Sequence, residues 1–403
     1  MPVGIVQKIF KDHFAKYRKQ RILIPDQAAA AWSIMTCRSE AQGYHIDACP
    51  NGDYQVVVLN SCKHRACPQC GATGSQLWLE RRKAQALNCP YFHIVFTISH
   101  DLHGLWRFNR RLFTNLMMRA AWHSLRELLL DFRYLGALVG AVAAFQSWDD
   151  QMREHCHAHF IVTGGGLNND NRWVGADKDF LMPTPVLAAK FRGKLLAYLR
   201  EGFGQCTARG KAKRKDQVLR PPAGMSQQQC FNLFNKLGRK RWHADIEPAY
   251  EHANGVFKYV GRYICRGPIS ERRIVGYDGC SVGYDGCSVT IAYAHRQKHE
   301  KPTFTLDAQS FMARILSHVP QKGTHVVRSY GLFHPNCREK LNIARNLLGQ
   351  GPYIPQIPMP STIELLQRMF ADQKIGRCPV CQTELRTVFI YRGGKSVPWK
   401  LAA

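Results

Sequence analysis

The stretch REHCHAHFIVTGGG, residues 153–166, sets His155, His157 and His159 at alternate positions. Successive side chains of a β-strand point to opposite faces, so on a strand the three imidazoles share one face. Cys156, Ala158, Phe160 and Val162 then take the other face and suit a core. Neighbouring imidazoles repel when protonated, so packing gives little reason to gather them, whereas a divalent ion does. Two or three imidazoles suit zinc, manganese or iron. A site completed by an amide or carboxylate and open to phosphate oxygens suits Mn2+ or Mg2+. Gln146, near the end of the preceding apolar stretch, becomes a further ligand if the two strands pair antiparallel. The glycines at 164–166 allow the backbone to approach a ligand or a neighbouring element closely.

The cysteines carry a second chemistry. SCKHRACPQCG brings Cys62, Cys67 and Cys70 close in sequence, with Cys49 and His45 upstream. CPxC is a knuckle spacing that aims two sulfurs at one tetrahedral ion, and a closed shell of soft ligands implies structural Zn2+. Cys67 and Cys70 are the firmest ligands, followed by Cys62 and Cys49; His45, His64 and Cys37 compete for what remains. A later pair, Cys378 and Cys381 in CPVC, has no obvious partner pair nearby: His334 and Cys337 are candidates, and a lost site is the alternative. Cys156, Cys206, Cys230, Cys280 and Cys287 read as small buried hydrophobes.

A third cluster is KYVGRYICR, residues 258–266. On a helical wheel Val256, Phe257, Val260 and Ile264 form an apolar stripe, while Lys258, Arg262 and Cys265 lie opposite. Tyr259 and Tyr263 fall on the shoulder, beside Arg266, where rings rest on a core edge and hydroxyls reach outwards. A phenol is a poor nucleophile at its free pKa of about 10. A metal that stabilises charge on phosphoryl oxygens offsets this, and a nearby cation helps. Histidines that hold such a metal, a tyrosine beside it and a basic surface are the parts needed to cut DNA through a phosphotyrosine.

The composition agrees. A formal charge of +27 and a pI near 9.7 point to a polyanionic partner, with nucleic acid the first candidate. A membrane surface is the weaker reading, because the longest apolar run, Leu135 to Phe145, is too short to span a bilayer. The N-terminal MPVGIVQKIFKDHFAKYRKQR patterns as an amphipathic helix without a signal-peptide apolar block, which argues against export. Fifteen cysteines in such a chain argue for reduced thiols and metal binding.

Several elements must position these groups. Residues 1–25 and 76–87 read as helices, YFHIVFTIS (91–99) as a strand, and 104–132 as helix. Residues 135–148 and 155–164 are further strands joined by the polar DDQMRE. The polar stretch 187–240 is helical and contains RGKAKRKDQVLR, a solvated loop or a phosphate-contacting arm, and RWHADIEPAY is another strand candidate. Beyond 267 short strands follow, with GYDGCSV repeated at 276–282 and 283–289 as an extended hairpin loop. PYIPQIPMP is a proline-rich linker before a final helix and CPVC.

HAH followed by FIVTGGG resembles the His-hydrophobic-His motif of HUH single-strand endonucleases. With YVGRY downstream and SCKHRACPQC upstream, the chain looks like a rolling-circle insertion-sequence transposase of the two-tyrosine type with an N-terminal zinc-binding domain. FHIVFTIS, RYICRGPISERRI and VRSYGLF are similar to that family too. The resemblance implies an α+β fold, an HUH-type antiparallel sheet flanked by helices, with the small zinc-binding domain at 1–85. The endonuclease domain would span 86–270 with a helical insertion, and 271–403 would form a helical and short-strand C-terminal region. It implies His157 and His159 as ligands of Mg2+ or Mn2+, with His155, one step outside the motif, as a third candidate. Tyr259 or Tyr263 would attack single-stranded DNA at element ends, leaving a 5′-phosphotyrosine and a free 3′-hydroxyl, with Lys258, Arg262 and Arg266 on the DNA. It also implies a bacterial, cytoplasmic, nucleoid-associated protein. The rival readings are a plasmid replication initiator or relaxase, which shares the nick chemistry, and a non-catalytic zinc-containing DNA-binding protein.

Overall fold

The computed structural model describes residues 4–177, 180–205, 214–250, 267–278, 287–293, 302–355, 360–370, 374–392 and 395–398. The architecture is α+β. At its centre β4 (Leu138–Trp148) and β5 (Glu154–Leu167) pair antiparallel, with Ala143 opposite Phe160 and Gln146 opposite His157. The polar link between them is a turn in which the Asp149 carboxylate accepts the backbone N–H groups of Gln151 and Arg153. On the far side of β5 lies β3 (Tyr91–Thr97), followed by β7 (Ala244–Tyr250). β11 (Val327–Gly331) flanks β4, and the short β6 (Trp173–Gly175) adds to the end of β5. The glycines 164–166 do permit close approach: a Cβ on Gly164 would lie 3.0 Å from the Pro90 carbonyl oxygen.

The alternation of the strands decides what covers each face. Phe92, Ile94, Phe96, Ala141, Ala143, Phe145, Cys156, Ala158, Phe160 and Val162 are all buried on one side, as the sequence pattern requires. Over them pack α4 (His103–Phe108), α5 (Arg110–Leu129), α6 (Thr184–Phe203) and α7 (Gln227–Arg239). α6 buries Leu187, Phe191, Leu195 and Leu199, a spacing of four that keeps one stripe towards the sheet. α7 begins with a capping box: the Gln229 backbone N–H donates to Ser226 Oγ, and the Ser226 N–H donates to Gln229 Oε1. At one end of the opposite face Tyr91, Val142, Ala144 and Ile161 pack with α3 (Gly71–Gln85) and α9 (Arg338–Leu347). The histidines occupy the rest of that face.

A second core lies beside the main sheet. α1 (Ile5–Gln20), α2 (Pro25–Thr36) and α8 (Ala308–Ser317) pack on the sheet of β8 (Ile274–Tyr277), β9 (Ser288–Ala292) and β10 (Thr303–Asp307). Tyr277 in the first copy of the heptapeptide stands opposite Val289 at the end of the second, as in a hairpin; residues 279–286 lie outside the described ones. A third sheet joins the two ends of the chain in the order β13 (Lys395–Pro398), β12 (Arg386–Arg392), β1 (Tyr44–Ala48), β2 (Gln55–Leu59). Packing runs across positions 85 and 270. Residues 5–36 share a core with 274–319, and β1 is hydrogen-bonded to β12. Long-range pairing of this kind leaves no periodic signal in a single sequence.

His318, just past α8, ties the second core to the main sheet. Its Nε2 lies 3.0 Å from the Met152 carbonyl oxygen and its Nδ1 3.1 Å from Ser147 Oγ, so one nitrogen donates and the other accepts. Burial lowers its pKa from 6.5 to about 4; nearby Arg110 adds to the fall, while Glu154 and Asp149 oppose it. The unfolded chain takes up a proton below pH 6.5 that the fold refuses until pH 4, so stability falls as the pH drops through that window. The contribution of this one residue is on the order of 3 kcal/mol once both states are protonated. Urea unfolding at stepped pH should show the decline, and His318→Gln should make it shallower; an unchanged slope would contradict the assignment.

Candidate functional site

The register of the main sheet assembles the histidine site. His157 faces Gln146 on β4 and Thr97 on β3, while His159 faces Ala144 and Val95. The ring centroids of His157 and His159 are 4.7 Å apart, and those of His155 and His157 are 5.1 Å apart. The condition set for Gln146, antiparallel pairing, is met: its Oε1 lies 3.3 Å from His159 Nε2. His155 sits one step outwards and borders His100, at 5.7 Å between centroids.

The structure adds two residues that sequence reasoning passed over. His93 on β3 stacks on His159, with 2.9 Å between His93 Nε2 and His159 Nδ1. Glu247 on β7 approaches the other side of the ring, its Oε2 2.9 Å from His93 Nδ1, and Tyr250 donates its hydroxyl to the same carboxylate at 3.1 Å. In FHIVFT the histidine sits among mostly apolar residues, and Glu247 is one carboxylate in a separate strand candidate. Only strand order β5-β3-β7 shows that they meet. The available hint was period two: His93 shares its face with Val95 and Thr97, opposite Phe92, Ile94 and Phe96.

These contacts set the protonation pattern. His157 Nδ1 lies 2.9 Å from the His155 carbonyl oxygen and donates to it, which leaves Nε2 as the basic nitrogen. Burial lowers the His157 pKa to about 4 and drives His159 well below the ordinary value, so both rings are neutral at pH 7. If Glu247 accepts from His93 Nδ1, His93 Nε2 accepts from His159 Nδ1 and the basic Nε2 of His159 faces Gln146 Oε1. Two acceptors facing each other are suited by a cation between them. Neutral imidazoles oriented by a carboxylate or backbone carbonyl are the form in which histidine binds metals. His157, His159 and Gln146 thus offer two basic imidazole nitrogens and an amide oxygen that suit a divalent ion, while His93, with both its nitrogens engaged, orients His159. Tyr259, Tyr263, Lys258, Arg262 and Arg266 lie outside the described residues.

The cysteines group differently from the sequence expectation. Cys37, Cys62, Cys67 and Cys70 bring their sulfurs within 4.8 Å of one another, with Cys37 to Cys70 at 3.5 Å and Cys62 to Cys70 at 3.6 Å. Cys37 takes the place expected for Cys49, because the end of α2 returns to the knuckle and Arg38 N–H donates to the Asn60 carbonyl. His45 is no member: its Nδ1 is 3.1 Å from Asn60 Oδ1 and its Nε2 3.5 Å from Asp47 Oδ2. Cys49 stands with Asp53, Cys378 and Cys381 in a second group, so the later pair meets Cys49 rather than His334 and Cys337. Spacing specified the knuckles but could not name their partners.

Residues 140–340 match the family described as "Putative transposase", and residues 9–98 match "Transposase zinc-binding domain". Over 98% of its length the chain is 30% identical to "Putative transposase y4qJ" of Sinorhizobium fredii, covering 97% of that protein. The chain belongs to the IS91 family of insertion-sequence transposases. It is also 25% identical to the "Transposase for insertion sequence element IS801" of Pseudomonas savastanoi pv. phaseolicola, over 82% of this chain and 71% of that one. No solved structure matches. The zinc-binding match and the cysteine cluster together support structural Zn2+ in the transposase, and DNA is its partner. No helix among the described residues is long and apolar enough to cross a membrane.

Cys37 and Cys67 are buried in the second core of the transposase, against α1, α2 and the β8–β10 sheet. Loss of a structural ion there should loosen that core, since metal binding energy is folding energy. Cys67→Ser is expected to lower the zinc content and the thermal melting temperature together; a variant with full stability and reduced zinc would show that the ion is not structural.

Proposed function

We propose that this transposase nicks and joins single-stranded DNA at element ends by attack of Tyr259 or Tyr263 on a scissile phosphate, in a rolling-circle mode. The observation that carries the reading is the gathering of His157, His159 and Gln146 on one sheet face, with His93 and Glu247 orienting His159 from behind. Glu247 lies on β7, which ends at Tyr250, and Tyr259 and Tyr263 follow shortly in the chain. A divalent ion, Mg2+ or Mn2+, would supply Lewis-acid stabilisation of charge on the phosphoryl oxygens.

The chain's own groups supply the rest of the proposed chemistry. The phenol oxygen forms a bond to phosphorus as the bond from phosphorus to the 3′ oxygen breaks. This leaves a 5′-phosphotyrosine and, once the departing oxygen is protonated, a free 3′-hydroxyl. Joining is the reverse exchange with a new 3′-hydroxyl as nucleophile, so no external energy source is needed. Two phenols provide for two transfer steps. The neutral, buried imidazoles hold the site without adding positive charge of their own, and Lys258, Arg262 and Arg266 are proposed to hold the backbone. The reading is favoured over a replication initiator by the family, and over a non-catalytic zinc protein by the histidine face that such a protein leaves without a task.

Tyr259→Phe, Tyr263→Phe and the double variant should be incubated with single-stranded oligonucleotides carrying element ends. The double variant is expected to form no denaturant-resistant protein–DNA adduct; an adduct at the wild-type level would sink the nucleophile assignment. Glu247→Gln should weaken Mn2+ binding by up to roughly 10–100-fold, because it disturbs the carboxylate–His93 chain that orients the ligand His159. Calorimetric titration reads this directly, and unaltered affinity would remove the Glu247–His93 pair from any role in orienting His159.

A further inference from the structure

The group of Cys49, Asp53, Cys378 and Cys381 lies apart from the histidine face, and its C-terminal half lies beyond both family matches, which end at residues 98 and 340. All four ligand atoms lie within 4.8 Å of one another. Cys49 Sγ is 3.4 Å from Cys381 Sγ, although the two residues are 332 apart in sequence, and 3.7 Å from Asp53 Oδ2. A disulfide needs about 2.05 Å between sulfurs. Two thiolates on one tetrahedral Zn2+, each at about 2.3 Å, stand about 3.8 Å apart. The observed separation is far nearer the second value.

The backbone around the group has the form of a metal knuckle. In Cys378–Cys381 the chain folds back so that Gln382 N–H donates to the Cys378 carbonyl at 3.0 Å and Cys378 N–H to the Thr383 carbonyl at 2.8 Å. Gln382 is left-handed, with φ 60°. The residues that follow Cys37 and Cys62 in the first cluster, Arg38 and Lys63, are left-handed too, with φ 55° and 52°. On the other side the turn from β1 to β2 brings Asp53 back to Cys49: Gly52 N–H donates to the Cys49 carbonyl at 3.0 Å, and Cys49 N–H to the Tyr54 carbonyl at 2.8 Å. Asn51 Nδ2 donates to Cys381 Sγ at 3.5 Å, the kind of hydrogen bond that a metal-bound thiolate accepts.

The geometry points to a second structural metal site, Zn2+ held by Cys49, Asp53, Cys378 and Cys381, which clips the C-terminal tail onto the N-terminal zinc-binding domain. Its task follows from the sheet it closes. Among the described residues, none of the three buried apolar clusters draws a member from β1, β2 or β12. Strand β2 alternates between exposed and half-buried, and β12 is half-buried at best. A small sheet with so little core needs a staple, and a metal that closes a long loop restrains the unfolded chain strongly. Three thiolates and one carboxylate fill the tetrahedral shell, as a structural site requires. The proposal is independent of the DNA-cleaving reading.

Elemental analysis of the purified full chain should find two zinc ions per molecule. Cys49→Ser and the Cys378→Ser/Cys381→Ser pair should each remove one, and all three changes together should remove no more than one. A single ion in the wild type, or full content in the tail variant, would overturn the site. Replacement of zinc by Co2+ in the unaltered protein gives a reading that does not depend on variants folding. Thiolate-to-metal absorption matching seven sulfurs supports the second site, and absorption matching the four of the first cluster alone overturns it.

Discussion

The pairing of β4 with β5 is the constraint from which the site follows. It places Gln146 opposite His157 and leaves Cys156, Ala158 and Phe160 against the helices. Because side chains alternate with a period of two, a slip of one residue would turn the histidines into the apolar core and the core residues outwards. Burial of Phe160 and its neighbours thus fixes the register, and the register fixes the imidazoles. The histidine face is held in place by hydrophobic packing on the reverse side of the same strand.

Burial then sets the chemistry of those imidazoles. Charged rings at this spacing, in a poorly solvated site, would be costly, so His157 and His159 stay neutral. Neutrality alone would leave their tautomers undefined. The His155 carbonyl and the Glu247 carboxylate define them, the latter through His93, in a chain of contacts that runs from Tyr250 to Gln146. The residues that orient the site lie on β3 and β7, distant in sequence from the His-hydrophobic-His strand itself.

The two cysteine groups work at the other scale, that of whole segments. The first lies inside the core shared by α1, α2 and the β8–β10 sheet, where Gln7 also bonds the carbonyls of Met35 and Cys37. The second stands where β1 meets the approach to β12, in a sheet stitched further by Thr387 to Asp47 and by the stacking of Tyr44 on Tyr391. The N-terminal segment is thereby bound to two later parts of the chain.

The sequence by itself determined what local chemistry can determine. Alternation gave the histidine face and its apolar reverse, CPxC gave the knuckles, and a +27 charge gave a polyanionic partner. The first two rest on neighbours within a few residues, where the strand period or the reach of a turn is decisive, and the charge is a plain sum that needs no fold. Tertiary structure alone decided the company these groups keep. His93 and Glu247 join the histidines because β3 lies between β5 and β7. Cys37 replaces Cys49 in the first cluster because the end of α2 returns to the knuckle, and Cys49 finds partners 332 residues away because β12 pairs with β1. Strand order and helix return come from packing summed over the whole chain, and no local pattern encodes that sum.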